Sequence, residues 1–440
     1  MARAHGARRM ARGPRPVNAA RRRAAAAAVC RAGPLRTVDA RANLPAPARR
    51  AMRPHPTFPT NREGTRLNPP TLHRAPPLAA LRRALRRTGA AIAAAAAVLA
   101  TVPDAAAQTA GRAPERLFYY VDNERAYESL VRHIDQITVL APQVYTVDSL
   151  GIFYGSLDRR VLALAKSRGV KVMPLFVNEG FQQPGLRRLL ADSAARARAI
   201  ETMVALCREH GYWGIQFDVE NINFQDRDRF TQWYADAARA LHRAGYTVSV
   251  AVVHRTENVP GPTGYHRFLH ESWRAGHDLA ALARAGDFVT IMTYDQHTRR
   301  TPPGPVAGLP WMREVVDYVL RSVPPEKLSL GIPLYGDHWF VRYDGASPTR
   351  TQYTAESVSW RWGRGLVERA GGTVQWDEAQ QVPYASFQVG GVNEWVYLED
   401  ARSFAAKLAL MREKGLRGFS AWVLGPEDEE IWTVLGRERR

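Results

Sequence analysis

The residues best suited by type and spacing to do chemistry are those of Gly214-Ile215-Gln216-Phe217-Asp218-Val219-Glu220-Asn221. Successive side chains of a strand point to opposite faces, so Gln216, Asp218 and Glu220 share one face and Ile215, Phe217 and Val219 the other. Three polar groups inside a strand are costly unless they bond one another or a ligand. At ~3.3 Å per residue, the Cα atoms of Asp218 and Glu220 lie roughly 6–7 Å apart. Crowded carboxyls push their pKa values apart, which keeps one of them protonated near neutral pH. An acid held in that state can protonate a leaving oxygen such as that of a glycosidic bond.

Such a triplet needs a frame. From Leu117 onward, short β-rich apolar runs alternate with longer helical patterns. The runs are Leu117–Val121, Ile137–Tyr145, Val172–Val177, Gly214–Glu220, Thr247–Val253, Phe288–Tyr294, Leu328–Leu334 and Gly418–Val423. Amphipathic stretches such as Arg159–Arg168, Leu186–His210 and Asp226–Ala244 lie between them. This alternation predicts a parallel sheet of the α/β class, and eight repeats at this length predict closure into a (β/α)8 TIM barrel. No Gly-rich phosphate loop follows the first run, which argues against dinucleotide binding. In a barrel, the apolar face of Gly214–Glu220 packs against helices, and the polar face points inward and climbs to the C-terminal rim. That rim is where barrels of this kind keep their active sites.

The interval between the seventh and eighth strands is too long for one helix. His338–Glu399 reads as a small α+β insertion with strands at Trp339–Tyr343, Thr373–Trp376, Tyr384–Val389 and Trp395–Leu398, and a helical stretch near Thr354–Ala370. It is expected to wall one side of a groove. Its Trp339, Trp360, Trp362, Trp376 and Trp395 are expected mainly to pack its own core.

Other stretches join the first. Met292-Thr293-Tyr294-Asp295 closes the sixth strand, Leu330-Gly331-Ile332-Pro333-Leu334-Tyr335-Gly336 the seventh and Gly418-Phe419-Ser420-Ala421-Trp422 the eighth, with Glu399-Asp400-Ala401-Arg402-Ser403 before it. Together these resemble glycoside hydrolase family 18, the chitinase and N-acetylglucosaminidase family. The resemblance runs in order from about Leu117 to Trp432. The family's fourth-strand signature, D-x-x-D-x-D-x-E, falls on Trp213, Gln216, Asp218 and Glu220; the last two match and the first two do not. The amide at Gln216 and the Asn after Glu220 look closer to the bacterial branch that contains spore cortex-lytic N-acetylglucosaminidases.

The resemblance implies retaining hydrolysis without an enzyme nucleophile, an exception to the two-carboxylate scheme. Glu220 would be the general acid, and the substrate's 2-acetamido oxygen would attack the anomeric carbon. Asp218 would orient the acetamide, Tyr294 would hydrogen-bond it, Asp295 would line the −1 sugar site and Trp422 would floor it. Gln216 can donate a hydrogen bond to Asp218 but cannot take a proton, so an altered pH profile is expected. The implied partner is an oligosaccharide or polysaccharide containing N-acetylglucosamine, of peptidoglycan or chitin type. No cofactor is implied. The alternative is a glycan-binding lectin on the same barrel; retention of Asp218, Glu220, Tyr294 and Asp295 together favours the hydrolase.

Further substrate-binding candidates are the residues that end strands near the rim: Tyr145 after the second, Asn178 with Glu179 after the third, and Tyr335 with Asp337 after the seventh. His254 and His297 lack metal-ligand spacing, so no metal site is expected. Met1–Ala107 carries 21 Arg, no Lys and three acids (Asp39, Glu63, Asp104), so +18 of the formal charge of +19 lies there and +1 in Gln108–Arg440. A near-neutral folded part argues against nucleic acid as partner. Residues 1–79 have the composition of a disordered Arg/Pro/Ala-rich segment, and translation is expected to start between Met52 and Leu81. Residues 80–107 read as a signal peptide: Arg82, Arg83, Arg86 and Arg87, then the apolar Ala90–Val102, then Ala105-Ala106-Ala107. The catalytic barrel is then 108–440, secreted or periplasmic, monomeric, and without a membrane span once the signal is removed. Cys30 precedes the signal, which leaves Cys207 alone, buried in a helix and with no disulfide partner.

Overall fold

The computed structural model describes residues 113–342 and 352–437. The segment 1–79, the signal at 80–107 and Cys30 lie outside the described residues. Among the described residues the first nine strands are β1 (Glu115–Tyr120), β2 (Val139–Val147), β3 (Phe153–Tyr154), β4 (Lys171–Val172), β5 (Leu175–Asn178), β6 (Gly214–Asp218), β7 (Thr247–Val253), β8 (Phe288–Met292) and β9 (Leu328–Pro333). The insertion follows as β10 (Gly336–Arg342), β11 (Gln352–Val358), β12 (Gln375–Asp377), β13 (Val382–Val389) and β14 (Val392–Tyr397), and the barrel resumes with β15 (Gly418–Trp422).

The parallel order β1-β15-β9-β8-β7-β6-β5-β2 closes on itself through β1–β2 pairing, so the expected eight-stranded TIM barrel is observed. β4 and β5 are two halves of the third barrel strand, parted at Met173-Pro174, where the proline has no N–H for the ladder. Alternation sorts the fourth barrel strand as expected. Ile215, Phe217 and Val219 join the large core between barrel and helices, where Phe217 meets Trp233 and Tyr234 at ring distances of 5.3 and 5.0 Å. Gln216 and Asp218 point inward. The expected helix over Leu186–His210 is two helices, Gln183–Ala191 and Ser193–His210. Asp192 divides them, because its extended backbone and its carboxylate, which accepts from Ala194 N and Ala195 N, start the second helix. Cys207 is buried on that second helix.

The insertion is a five-stranded sheet in the order β11-β10-β14-β13-β12, with helix Trp360–Arg369 packed on it. Residues 354–358, expected as helix, form β11 instead. They pair in antiparallel register with β10 from Gly336↔Val358 onward, which outweighs the local helical pattern. Trp339 is fully buried opposite Trp395, Trp360 packs on the insertion core, and Trp376 lies under Arg402. Trp362 stands out to solvent. No helix among the described residues is long and apolar enough to cross a membrane.

Candidate active site

The floor of the site is a polar layer inside the barrel. Gln216 is fully buried; its Oε1 accepts from Tyr119 Oη at 2.8 Å, and its Nε2 donates to Ser249 Oγ at 3.0 Å and Thr290 Oγ1 at 3.4 Å. The network continues from Thr290 to Ser420 (3.1 Å) and from Ser420 to Ser329 (2.7 Å). The network around Gln216 therefore joins six strands, and Gln216 is neither hydrogen-bonded to Asp218 nor exposed to the cleft. The reading of it as a substrate-binding donor to Asp218 is corrected: its amide is already spent on Tyr119, Ser249 and Thr290. Trp213, at the first signature position, closes the opposite end of the barrel, stacked near Phe288 with Lys171 over its face.

Asp218, one pleat above, is buried. Its Oδ2 faces Gln143 Nε2 at 3.4 Å, and among the described residues its Oδ1 has no hydrogen-bond partner. Burial, then the charge of Glu220, hold its carboxyl well above the usual range, against the donor from Gln143. Glu220 follows the end of β6 at the rim. Burial pushes its carboxyl up to about 7, helped by Asp295 and opposed by Trp273, whose Nε1 donates to Oε2 at 3.4 Å. Asn178 grips the same residue by its backbone: Asn178 Oδ1 accepts from Glu220 N at 3.0 Å and Nδ2 donates to Glu220 O at 3.2 Å. Asn178 is nearly inaccessible, so it positions the acid's main chain and is not a substrate contact. Asn221, next along, takes a left-handed φ of 55°.

Tyr294 and Asp295 follow β8. Tyr294 is buried beside the acids; burial, then the phenol of Tyr119 and the charge of Asp218, push its own phenol up. Its ring lies 6.5 Å from that of Trp422, near parallel. Asp295, at a left-handed φ of 59°, turns into the cleft and accepts from Tyr335 Oη. Asp295, Tyr335 and Trp422 line a cavity of about 490 Å³. Its far wall is Ser357–Ser359 of the insertion, and its rim includes Asn123 and Arg125. The insertion thus walls one side of the groove as expected. Asp337 is buried at that joint, takes a hydrogen bond from Ser357 Oγ at 3.0 Å and is pushed by burial up to about 7.

Tyr145 lies elsewhere. A bulge between Gln143 and Tyr145 breaks the alternation of β2, so Gln143 keeps the inward face and Tyr145 turns into the outer core. There its Oη meets Tyr212 Oη at 3.0 Å. Its reading as a substrate contact is corrected, and Gln143 takes the place beside Asp218. Strict alternation from Val139 would have flagged Gln143, and from Leu117 it would have flagged Tyr119; nothing in the sequence pointed to Trp273. His254 sits edge-on to Trp273 and Trp311, neutral because burial lowers it to about 3, and His297 faces the Pro302 carbonyl. Among the described residues no group of three or more His, Cys, Asp or Glu is disposed to hold a metal ion.

The sequence pattern of Glycosyl hydrolases family 18 matches residues 116–427, which contain every residue of this site. The chain belongs to glycoside hydrolase family 18. As a family 18 protein it is 28% identical over 278 residues to a cortical fragment-lytic enzyme of Bacillus subtilis, covering 62% of this chain and 61% of that enzyme. It is 25% identical over 270 residues to chitotriosidase-1 of Mus musculus, covering 54% of this chain and 55% of the relative. This family 18 chain therefore spans a little over half the length of either. Its fold superposes on a chitinase from Chromobacterium violaceum with a TM-score of 0.65 at 25% identity, over 74% of this chain and 98% of the chitinase. It superposes on the spore cortex-lytic enzyme SleL of Bacillus cereus with a TM-score of 0.66 at 24% identity, over 74% of each chain.

Proposed function

We propose that this family 18 glycosidase cleaves β-linked N-acetylglucosamine-containing glycans with retention of configuration, using Glu220 as general acid and the substrate's own acetamide as nucleophile. One observation carries the reading: a buried Asp218 with an unpartnered Oδ1 lies below a Glu220 whose proton is held up to about 7, with Tyr294 beside both. Glu220 passes its proton to the glycosidic oxygen as the bond from that oxygen to the anomeric carbon breaks. The acetamide oxygen bonds the same carbon from the opposite face, and Asp218 accepts the acetamide N–H and balances the cationic ring that forms. Water then opens the ring at the anomeric carbon and returns a proton to Glu220. An internal nucleophile supplies an effective molarity of about 10⁵ M or more, and positioned proton transfer adds roughly 10²–10⁴. No second carboxylate is needed on the far face of the sugar.

Similarity to a cortical fragment-lytic enzyme favours peptidoglycan over chitin as the natural glycan. The test is hydrolysis of chitooligosaccharides and of purified peptidoglycan by the full chain and by Glu220→Gln. Cleavage is expected to fall about 10²–10⁴-fold in the variant, and the first product is expected to be the β-anomer by proton NMR. A variant as active as the parent, or an α-anomer formed first, overturns the mechanism. Binding without cleavage by both proteins makes the protein a lectin.

A further inference from the structure

The segment between β7 and helix Leu279–Ala285 has no part in the reaction as described so far. It carries helix Gly264–Leu269 into a π-helical turn, His270–Arg274, a geometry that appears frequently at functional sites. The turn is tied to the rim at several points. Gln183 Nε2, after the third barrel strand, donates to Ser272 O at 2.8 Å. Arg255, after the fifth, donates to Arg274 O at 2.7 Å and to His277 O at 3.0 Å. Gly276 lies so close to the loop after the fourth that a Cβ there would stand 2.4 Å from Ile222 O, so only glycine fits. These ties fix one side chain against the acid. The Trp273 indole packs on the cluster of Ala251, Val253, Met292 and Tyr294 and turns its N–H to Glu220 Oε2 at 3.4 Å.

We propose that Trp273 is a positioning residue for the acid: it holds Oε2 as the accepting oxygen, so that Oε1 carries the proton toward the leaving group. The proposal rests on the reading of Glu220 as general acid. An indole N–H can only donate. In a protonated carboxyl the carbonyl oxygen accepts better than the hydroxyl oxygen, so an N–H facing Oε2 favours the proton on Oε1. Among the described residues, Trp273 is the sole side chain hydrogen-bonded to the Glu220 carboxyl. The ionisable groups around it are Asp218 below, Tyr294 and Asp295 from the end of β8, and His254 and Arg274 flanking the indole. Asp218 and Asp295 carry the same charge as Glu220 when ionised, and none of the five is hydrogen-bonded to the Glu220 carboxyl. The indole is the one neighbour that favours the ionised carboxylate against burial and the charge of Asp295.

The test has two readouts. In protein labelled with ¹³C at glutamate carboxyls, the Glu220 resonance is assigned by its absence in Glu220→Gln and followed with pH in the parent and in Trp273→Phe. Loss of the N–H is expected to move its midpoint up by about half a unit or more. On chitotetraose, Trp273→Phe is expected to lower kcat about tenfold with KM little changed, and to move the alkaline limb of the rate profile upward in step. Trp273→His, which keeps a ring N–H, is expected to recover part of both. An unmoved Glu220 midpoint in a Trp273→Phe protein with the parent's urea midpoint overturns the proposal. If the parent cleaves neither glycan, the reaction assigned to Glu220 fails, while the carboxyl titration still decides whether Trp273 holds it.

Discussion

Asp218 and Glu220 sit two residues apart but meet different surroundings. Asp218 is sealed between Gln143 and a polar floor, whereas Glu220 reaches the rim and meets an indole. Alternation along one strand was enough to foresee which face each takes, because that face is set by backbone geometry. What each side chain touches was not foreseen, because Gln143 and Trp273 come from 75 and 53 residues away. Gln216 shows the same limit: the motif suggested a donor to Asp218, and the fold spends that amide on three hydroxyls of other strands. An aspartate at 216 would keep the bond from Tyr119 while setting a second buried carboxyl beneath Asp218, and Ser249 and Thr290 can turn to donate to it. Like charges at close range raise proton affinity. Gln216→Asp is therefore expected to shift the alkaline limb of the pH–rate curve upward, beyond what burial of Glu220 already does. A curve that does not move sinks this account of residue 216.

At the scale of elements, the eight barrel strands were legible because buried parallel strands are short apolar runs with helical patterns between them. Two features were not legible. The bulge in β2 reverses the faces after Gln143, and no residue type in Gln143-Val144-Tyr145 announces it. The strand at Gln352–Val358 owes its conformation to pairing with β10, a partner beyond the reach of local pattern. The third barrel strand contributes to the site through its last residue, since Asn178 closes two hydrogen bonds on the backbone of Glu220 where β6 has already ended. Asn178→Ala leaves a half-buried N–H and C=O without their partner, a cost of about 1–3 kcal/mol at most. The expected outcome is a lower urea midpoint and a fall in kcat of roughly tenfold or more with KM nearly constant, because Glu220 loses the place its proposed role requires while the rest of the cleft is kept. A stability loss with kcat intact would make Asn178 a purely structural tie.

Across the whole molecule, the cleft and the joint with the insertion concentrate acids whose proton affinity burial raises. Glu220 and Asp337 are pushed up to about 7, Asp218 and Asp295 are raised, and Glu399 is raised to about 6 even with Lys407 and Ser403 bonded to it. Each has a higher proton affinity folded than unfolded, so the folded state binds more protons across this interval. Stability from such a group is fully present below its unfolded value, near 4 for a carboxyl, and is lost as pH rises through the folded value. Burial of these acids thus makes the barrel less stable on the alkaline side. Thermal unfolding of the full chain is expected to show a higher Tm at pH 5 than at pH 8. Neutral amides remove the titration, so Glu220→Gln and Asp337→Asn are each expected to raise Tm relative to the parent at pH 8, with the gain shrinking toward pH 5. Lys407 supplies the contrasting case, because Lys407→Met leaves Glu399 buried without its cation. That variant is expected to lose about 3–5 kcal/mol at pH 8 and to recover part of the loss at pH 5, as Glu399 takes up a proton. If the Tm differences for Glu220→Gln and Asp337→Asn are the same at both pH values, the acids are not held neutral in the folded protein, and Glu220 has no proton to give at neutral pH.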